Sequence, residues 1–440
     1  MRAWPATGMA DEGPAMRFDQ RVPASARWIV IAATAAAICG TALPAGASTA
    51  HGSGATWAKA RQVGTPATLA GGEGGIQAIA CAPKGYCAAV GFYEVPRHPG
   101  FSAYSYVLTE KKGAWGKIQL INTAPLGKAS AGSGIIGWLS CPSAGNCAAG
   151  GEYQDSNNAT VPFVVNQKNG RWGKAEKIAG VSALNGDLDA QITALSCASA
   201  GNCVIGGNYQ NSTESENNQP FVVAEKSGVW GKAQDVPGTA SLDITQGDVT
   251  SLSCTGAGTC LGVGFYQVTS ATGVVITEHN GKWGTAHGIP GLSQVANSGI
   301  ELVSCAPAGT CTVAGDGVSP QDSALFTISE KNGSWGSLQP IPGTAVAGQG
   351  YDTVALSCPA AGDCSLGGSH SGGSGPTVPF VATEHDGTWA TAGNVPGLGA
   401  RSMAKATRRS SRWRARHRRT TAAPGATTSS TTRPACTPSS

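Results

Sequence analysis

Six pairs of cysteines, each with five residues between its two members, recur along this chain at intervals of 51 to 60 residues. A tryptophan, usually followed by glycine, keeps a similar interval at Trp57, Trp115, Trp172, Trp230, Trp283, Trp335 and Trp389. Self-similarity at a period of about 50 residues is the signature of a repeat architecture. The chain is therefore expected to fold as a series of similar units that pack on one another.

The spacing of the cysteines predicts one disulfide in each repeat. Zinc is the alternative, but structural zinc sites favour two to four residues between ligands and further Cys or His nearby, whereas the His residues are scattered here. We therefore predict no metal site and no cofactor, with Cys39 and Cys436 left unpaired. The predicted disulfides are Cys81–Cys87, Cys141–Cys147, Cys197–Cys203, Cys254–Cys260, Cys305–Cys311 and Cys358–Cys364.

The third repeat shows the predicted strands. Residues 191–197, 203–209, 219–225 and 229–238 are rich in Val, Ile, Phe and Tyr, and clusters of Gly, Asn and Ser separate them. Asn-Gly or Asp-Gly stands between the third and fourth segments of several repeats, as in Asn280-Gly281, which favours a tight hairpin turn. Each repeat is therefore predicted to be a meander of four strands.

A four-stranded meander of about 55 residues cannot bury both of its faces, so neighbouring copies must stack. We predict an all-β fold, a β-propeller of six complete four-stranded blades with a disulfide in each; the alternative is an open stack of hairpin modules. Trp57–Val63 would be the fourth strand of a partial seventh blade. Small residues in the second strands, such as Gly206-Gly207, are expected to let neighbouring sheets approach closely.

The two ends of the chain differ from the repeats. Residues 1–47 are predicted to be a signal peptide with an N-terminal extension, because an uncharged apolar run follows Arg27 and ends before Ala45-Gly46-Ala47; a membrane anchor is the alternative. Residues 48–400 form the predicted repeat domain. Residues 401–440 form a disordered basic tail, read as a frameshifted seventh blade or as a native segment that binds anionic cell-wall polymer.

Charge bears on the partners of the repeat domain. The tail carries +10 and residues 1–47 carry +1, so the total of +4 leaves −7 for residues 48–400. An acidic body argues against nucleic acid as a partner. We expect a monomer that is secreted or associated with the cell wall, without membrane contact after signal cleavage, and an extracellular glycan or protein as its ligand.

The motif L-S-C-x5-C-x-x-x-G-x-Y, followed by F-V-x-x-E and then by G-x-W-G, resembles secreted repeat proteins of high-GC Gram-positive bacteria. That resemblance covers about residues 57–397 and implies a propeller-like fold without a known activity. The turn before the tryptophan is also distantly similar to the Asp-box turn of sialidase-type propellers. In Glu278–Trp283, however, Gly stands two residues before Trp rather than three, and the Ser and Asp of that motif are missing.

Chemistry is expected on residues that break the repeat. The glutamates five residues before the tryptophans, such as Glu225 and Glu330, recur and are predicted to be structural. No hydrolase, zinc-protease or nucleotide-binding motif is present, so no catalytic residue is predicted. The loops after the second strands vary most, and the candidate ligand-binding residues at these loops are Tyr93, Tyr153, Tyr209, Tyr266 and Asp155. Calcium at acidic residues such as Asp155, Asp187 and Asp189 is a lesser alternative.

These observations favour a secreted or cell-surface propeller that acts as a non-catalytic binding module for glycan or protein. The alternative is a carbohydrate-active enzyme, a glycoside hydrolase or lyase with its site in the central channel. A third reading is a structural array without a small ligand. A cluster of carboxylates that break the repeat near the axis would favour the enzyme, whereas a polar rim lined by tyrosines would favour binding.

Overall fold

The computed structural model describes residues 74–82, 85–96, 101–127, 134–212, 217–239, 244–268, 271–290, 292, 299–318, 323–345, 349–372 and 377–395. The predicted signal peptide, the strand Trp57–Val63 and the basic tail lie outside the described residues. None of the helices in the described ranges is both long and apolar enough to cross a membrane.

The six repeats form six antiparallel sheets, the blades of a β-propeller, as predicted. In each blade three long strands pair in sequence order, and the fourth strand consists of two short pieces that both pair with the third. Blades 1 to 3 comprise β1 (Gly74–Ala82), β2 (Tyr86–Pro96), β3 (Phe101–Lys111), β4 (Ala114–Trp115), β5 (Gln119–Leu120); β6 (Ile135–Ser143), β7 (Asn146–Gln154), β8 (Thr160–Lys168), β9 (Arg171–Trp172), β10 (Glu176–Lys177); β11 (Ala190–Ser199), β12 (Asn202–Gln210), β13 (Asn218–Lys226), β14 (Val229–Trp230) and β15 (Gln234–Asp235). Blades 4 to 6 comprise β16 (Gln246–Gly256), β17 (Thr259–Gln267), β18 (Ala271–His279), β19 (Lys282–Trp283), β20 (His287–Gly288); β21 (Gly299–Cys305), β22 (Thr310–Val318), β23 (Ser323–Lys331), β24 (Ser334–Trp335), β25 (Gln339–Pro340); β26 (Gln349–Ala360), β27 (Asp363–Gly372), β28 (Val378–His385), β29 (Thr388–Trp389) and β30 (Gly393–Asn394). A 3-10 turn (Ala124–Leu126) and the short helix α1 (Val181–Asn185) lie in the described connections.

All six predicted disulfides are present, and each joins the first strand of a blade to the second. The turn between the third and fourth strands packs on this hairpin: the N–H of Gly170 donates to the carbonyl of Gly145 at 2.7 Å. Both central residues of that turn have positive φ, 51° at Asn169 and 80° at Gly170, as an Asn-Gly hairpin turn requires. We call this end of the blades the hairpin face. The opposite end, where first strands begin and second strands end, is the loop face.

A repeated serine explains the Leu-Ser-Cys motif. The first strands of successive blades pack against one another around the axis. Across four of these contacts the serine hydroxyl before the first cysteine accepts the backbone N–H of the first cysteine in the next blade, at 2.9–3.1 Å. Such a bond satisfies a strand N–H that has no partner within its own sheet. The Ser–Cys pairs are Ser140–Cys197, Ser196–Cys254, Ser253–Cys305 and Ser304–Cys358.

The hydrophobic core lies between the blades. In one cluster Val164 of blade 2 packs with Ile192 and Phe221 of blade 3, and each side chain is at most 2% exposed. At the outer edge, the N–H of Ala233 donates to the carbonyl of Ala179 of the preceding blade at 2.8 Å. Between blades 2 and 3, an inner hydrogen bond from Cys197 to Ser140 and this outer bond therefore flank the apolar interface.

Glycines in the second strands have two roles, and the sequence predicted only one of them. A Cβ on Gly206 would lie 2.5 Å from Val249 of the next blade, so this glycine does allow close approach of neighbouring sheets. On Gly207 it would lie 2.0 Å from the carbonyl oxygen of Gln191, in the same blade. The second glycine is needed because a bulge in the first strand presses that strand's backbone onto its partner.

Candidate functional site

This bulge recurs in the first strand of all six blades, four residues before the first cysteine. In two blades the bulge position carries threonine, and its hydroxyl donates to a carbonyl of the next blade: Thr193 to Val249 at 2.7 Å, and Thr250 to Ile300 at 3.2 Å. In these two blades the side chain at the bulge position therefore bonds the first strand of the next blade, five residues before that strand's first cysteine. The occupants of the bulge position are Gln77, Gly137, Thr193, Thr250, Glu301 and Val354.

Glu301 is the acidic residue among these occupants. Its carboxyl group accepts hydrogen bonds from the hydroxyl and the backbone N–H of Thr353 in blade 6. Thr353 stands five residues before the first cysteine of its blade, as Val249 and Ile300 do in theirs. The hydrogen bond thus runs in the opposite direction from the threonine bonds, because the bulge residue accepts instead of donating. Burial, together with the negative charges of Asp316 and Asp352, raises the pKa of Glu301 to about 7 against the opposing effect of the Thr353 hydrogen bonds.

Asp316 lies on the second strand of blade 5, directly opposite Gly299. A Cβ on Gly299 would come within 2.9 Å of the Asp316 Oδ1 atom, so the glycine leaves room for this carboxyl group. Burial and the charge of Asp352 raise the pKa of Asp316, while its own N–H and that of Gly299 hydrogen-bond it. The equivalent residues on the other second strands are Phe92, Glu152, Asn208, Phe265 and Ser369.

Asp352 is the exposed member of this group. It lies in the first strand of blade 6, directly before Thr353. Because its charge raises the pKa values of both Glu301 and Asp316, the three carboxyl groups share one electrostatic environment. We call Glu301, Asp316 and Asp352 the carboxyl site. It lies on axis-proximal strands of blades 5 and 6, on the side of the loop face, and combines a half-buried acid with an exposed carboxylate.

An aromatic ring and an imidazole flank the carboxyl site in blade 6. The ring centroids of Tyr351 and His370 are 5.7 Å apart, and the His370 Nε2 atom lies 2.9 Å from the Asn394 Oδ1 atom. His370 occupies the position at which blades 1 to 4 carry tyrosine. Blade 6 therefore departs from the repeat at three adjacent places, Tyr351, Asp352 and His370.

A fourth carboxyl group that breaks the repeat is Asp248 in blade 4. It stands at the same position in its first strand as Asp352 does in blade 6. The Thr193 hydroxyl lies 2.7 Å from its Oδ1 atom and 2.7 Å from the Val249 carbonyl oxygen, so one hydrogen is shared between these two acceptors, and Asn208 also hydrogen-bonds Asp248. Burial raises the pKa of Asp248 to about 6, against the effect of these bonds. Because both partners belong to blade 3, Asp248 joins two blades.

Three of the four candidate tyrosines, Tyr93, Tyr153 and Tyr209, are buried inside their blades. Tyr93 is 6% exposed and stacks on Tyr104 with 5.5 Å between ring centroids. Tyr153 is 2% exposed and packs against Phe163. A part in ligand binding remains a prediction for both residues.

The remaining candidates are also held by local contacts. The hydroxyl of Tyr209 donates to Asp235, and Tyr266 is half-buried beside a small cavity that Asp248 also lines. Asp155 closes its own loop by accepting the N–H groups of Asn157 and Ala159, at 2.7 and 3.0 Å. Ligand binding by these three residues likewise remains a prediction.

Asp248, Glu301, Asp316 and Asp352 were not predicted from the sequence, because chemistry was expected in the variable loops. The available signal was in the strands: these carboxyl groups replace neutral residues at positions that the cysteine register defines. The repeated glutamates behave as predicted, since Glu330 is buried and accepts the N–H of the turn residue Gly333.

No family model and no curated protein matches this chain. Among solved structures, a Hadza microbial sialidase is 10% identical, with a TM-score of 0.38 over 71% of this chain and 64% of that chain. An ulvan lyase from a new family of polysaccharide lyases is 9% identical, with a TM-score of 0.43 over 71% and 81%. The α-L-arabinanase of Penicillium chrysogenum, complexed with arabinobiose, is 12% identical, with a TM-score of 0.37 over 64% and 85%.

These findings contradict the prediction of a non-catalytic binding module. The solved structures that the chain resembles include hydrolases and a lyase. The carboxyl site is a cluster of carboxyl groups that break the repeat near the axis, the arrangement that was expected to favour the enzyme alternative. At 9–12% identity these proteins supply neither a substrate nor a residue role to this chain. Of the resemblance to secreted repeat proteins, the structure supports the propeller fold and the disulfide in each repeat.

Proposed function

We propose that this protein is a glycoside hydrolase that acts through the carboxyl site. The observation that carries the proposal is the pairing of Glu301, whose pKa is raised to about 7, with the exposed carboxylate of Asp352. Most glycosidases need one carboxylic acid that stays protonated at working pH and a second carboxylate that is ionised. Burial and neighbouring charge create that difference between the two residues here.

The three carboxyl groups take different roles. Glu301 is the general acid: it gives its proton to the glycosidic oxygen while the bond between that oxygen and the anomeric carbon breaks. Asp352 is the general base, because it is exposed to the water from which it takes a proton as that water bonds to the anomeric carbon. Asp316 adds to the effect of burial in keeping Glu301 protonated, since a neighbouring negative charge disfavours ionisation of the acid.

Hydrolysis is favoured over elimination by the residues near the site. Polysaccharide lyases act on uronic acids, whose carboxylate needs a positive group to bind it. No Lys or Arg occurs in the first or second strand of any blade within the described residues. Six disulfides fit an exported enzyme that meets its glycan outside the cell. Membership of the secreted repeat proteins is part of this proposal.

The test is product analysis on a panel of oligosaccharides with wild type, Glu301→Gln and Asp352→Asn. We expect wild type to release reducing ends and each variant to lose about 10²- to 10⁴-fold in kcat/KM. Glu330→Gln is the matched control, because it replaces a buried glutamate of the same blade at the hairpin face and should keep activity. Retained turnover in both site variants, or no turnover by wild type on any glycan, would overturn the proposal.

A further inference from the structure

An asparagine amide bridges blades 2 and 3 near the hairpin face. The Asn166 side chain of blade 2 donates from its Nδ2 atom to the carboxyl group of Glu225 in blade 3. Its Oδ1 atom accepts the indole N–H of Trp230 in blade 3 at 3.4 Å. Glu225 and Trp230 are paired residues of the third and fourth strands, so one amide group satisfies an acid and an indole that lie side by side.

The next interface repeats the acid and the indole without the amide. Ala224 of blade 3 stands at the position of Asn166, and Glu278 and Trp283 are the paired acid and indole of blade 4. Glu278 is 1% exposed, and neither its Oε2 atom nor the buried Trp283 Nε1 atom has a hydrogen-bond partner among the described residues. Buried polar atoms without partners cost free energy, so a group that bonds both atoms would be stabilised here.

A cavity of about 410 Å³ lies at the hairpin face of this interface. Ala224 and Glu278 both line it. Its volume falls within the range of pockets that hold small ligands, about 300–1,000 Å³. Alanine at the asparagine position therefore accounts both for the missing partner of the acid and for space beside it.

The interface between blades 5 and 6 differs at the asparagine position. The Glu384 Oε2 and Trp389 Nε1 atoms there also lack a partner among the described residues. The asparagine position, however, carries Ser329, whose hydroxyl lies 2.9 Å from that of Thr312. A serine side chain thus occupies the position that Ala224 leaves open between blades 3 and 4.

The charges around the cavity favour a neutral ligand. The Glu278 carboxylate disfavours an anion, and the Lys226 ammonium, which also lines the cavity, disfavours a cation or a metal ion. The Lys226 Nζ atom lies 3.5 Å from the Gly281 carbonyl oxygen, at the rim formed by the turn. A neutral group that donates to Glu278 and accepts from Trp283 would reproduce what the asparagine amide does one blade earlier.

We infer that the interface between blades 3 and 4 binds the acetamido group of an N-acetylated sugar, whose N–H donates to Glu278 and whose carbonyl oxygen accepts from Trp283. An acetamido group carries its donor and its acceptor on one carbonyl carbon, as an asparagine side chain does. Asn202, Ser227 and Asn280 also line the cavity, and their amide and hydroxyl groups suit the hydroxyl groups of a sugar ring. The carboxyl site lies at the opposite face of blades 5 and 6, so this second site does not depend on the proposed function.

An NMR titration of the wild-type protein, followed through the indole N–H resonance of Trp283, tests the inference. That resonance is assigned by its loss in Trp283→Phe. The probes are N-acetylglucosamine, glucose and a blocked asparagine, which presents the same amide on a peptide unit. We expect N-acetylglucosamine to bind about tenfold more tightly than glucose, which lacks the acetamido group, and more tightly than the asparagine derivative, which lacks the ring. Equal or tighter binding of either other probe, or no shift with any probe, would overturn the inference.

A variant that fills the cavity provides the matched control. Ala224→Asn supplies the amide that Asn166 supplies one blade earlier, so it should abolish the response of the Trp283 resonance to N-acetylglucosamine while the fold is kept. Glu301→Gln changes the carboxyl site and should leave that response intact. Unchanged binding in Ala224→Asn, or loss of the response in Glu301→Gln, would overturn the inference.

The reverse exchange should create a second site. Asn166→Ala removes the bridging amide from the interface between blades 2 and 3 and leaves Glu225 and Trp230 without it. N-acetylglucosamine should then also shift the indole N–H resonance of Trp230, which it should leave in place in the wild-type protein. If the Trp230 resonance of the folded variant does not respond, the missing amide does not define the site and the inference fails.

Discussion

Replacement of Glu301 by glutamine should remove activity and at the same time stabilise the protein at alkaline pH. The carboxyl group is half-buried, and burial with two neighbouring negative charges raises its pKa from 4.5 to about 7. Such a group binds its proton more tightly in the folded protein than in the unfolded chain. Its ionisation therefore removes stability as the pH rises from about 4.5 to about 7, and the loss is complete above that range.

The magnitude follows from the two pKa values. A pKa raised from 4.5 to about 7 corresponds to about 3 kcal/mol of unfolding free energy at most. Glutamine stays neutral at every pH and its carbonyl oxygen can still accept from Thr353. We therefore expect Glu301→Gln to match wild type near pH 4, where both chains are uncharged at this position, and to exceed it by up to about 3 kcal/mol near pH 8.

Guanidinium unfolding followed by tryptophan fluorescence, with the disulfides intact, measures this difference at the two pH values. Glu301→Thr is a second variant, because threonine is the residue that blades 3 and 4 carry at the bulge position. Its hydroxyl should donate to the Thr353 carbonyl, so this variant should also be inactive and at least as stable as wild type near pH 8. Destabilisation of both variants at both pH values would refute the reasoning, since Glu301 would then be a structural residue.

Three further outcomes follow from the same contacts. Asp316→Asn should move the alkaline limit of the kcat/KM profile to lower pH, because removal of a neighbouring negative charge lowers the pKa of Glu301; an unmoved limit would exclude this coupling. Ser253→Ala should lower the unfolding free energy by about 1 kcal/mol, measured by chemical unfolding, because it leaves the Cys305 N–H without its partner. Opening one disulfide by replacing both of its cysteines with serine should cost about 2 kcal/mol in the same assay, and a cost near zero would show that the hairpin needs no cross-link.

The sequence predicted the fold well because the cysteine and tryptophan periods reflect contacts that every blade repeats. The serine before each first cysteine bonds the next blade, and the Asn-Gly turns adopt the positive φ values that their residues favour. The roles of the second-strand glycines were only half predicted. Gly207 is required because a bulge in the first strand of its own blade brings the Gln191 carbonyl close to it. The position of a bulge depends on the register of the strands, which the period of the repeat does not give.

The candidate site was harder to predict because its residues lie far apart in the chain. Glu301 and Asp352 are brought together by the packing of two first strands, and the sequence shows only that each is acidic. The tyrosines, by contrast, recur at one position and were candidate ligand-binding residues at the loops. Tyr93, Tyr153 and Tyr209 lie at most 6% exposed and pack inside their blades, and their part in ligand binding stays a prediction.

The bulge position explains how a repeated scaffold can hold a single acid. In blades 3 and 4 it carries a threonine that donates to the next blade, and in blade 5 the acid accepts from Thr353 at the same place. The first strand of blade 5 is already bonded to blades 4 and 6 through Ser253 and Ser304. Glutamate in place of threonine therefore changes one contact, and the blades stay joined by these bonds. The exchange is costly above the pKa of the acid, because a half-buried carboxylate then lies beside two others. Threonine would bond the two blades at this position without burying a charge, so glutamate lowers the stability of the protein here. A residue that lowers stability at such a position is expected where selection acts on chemistry rather than on stability.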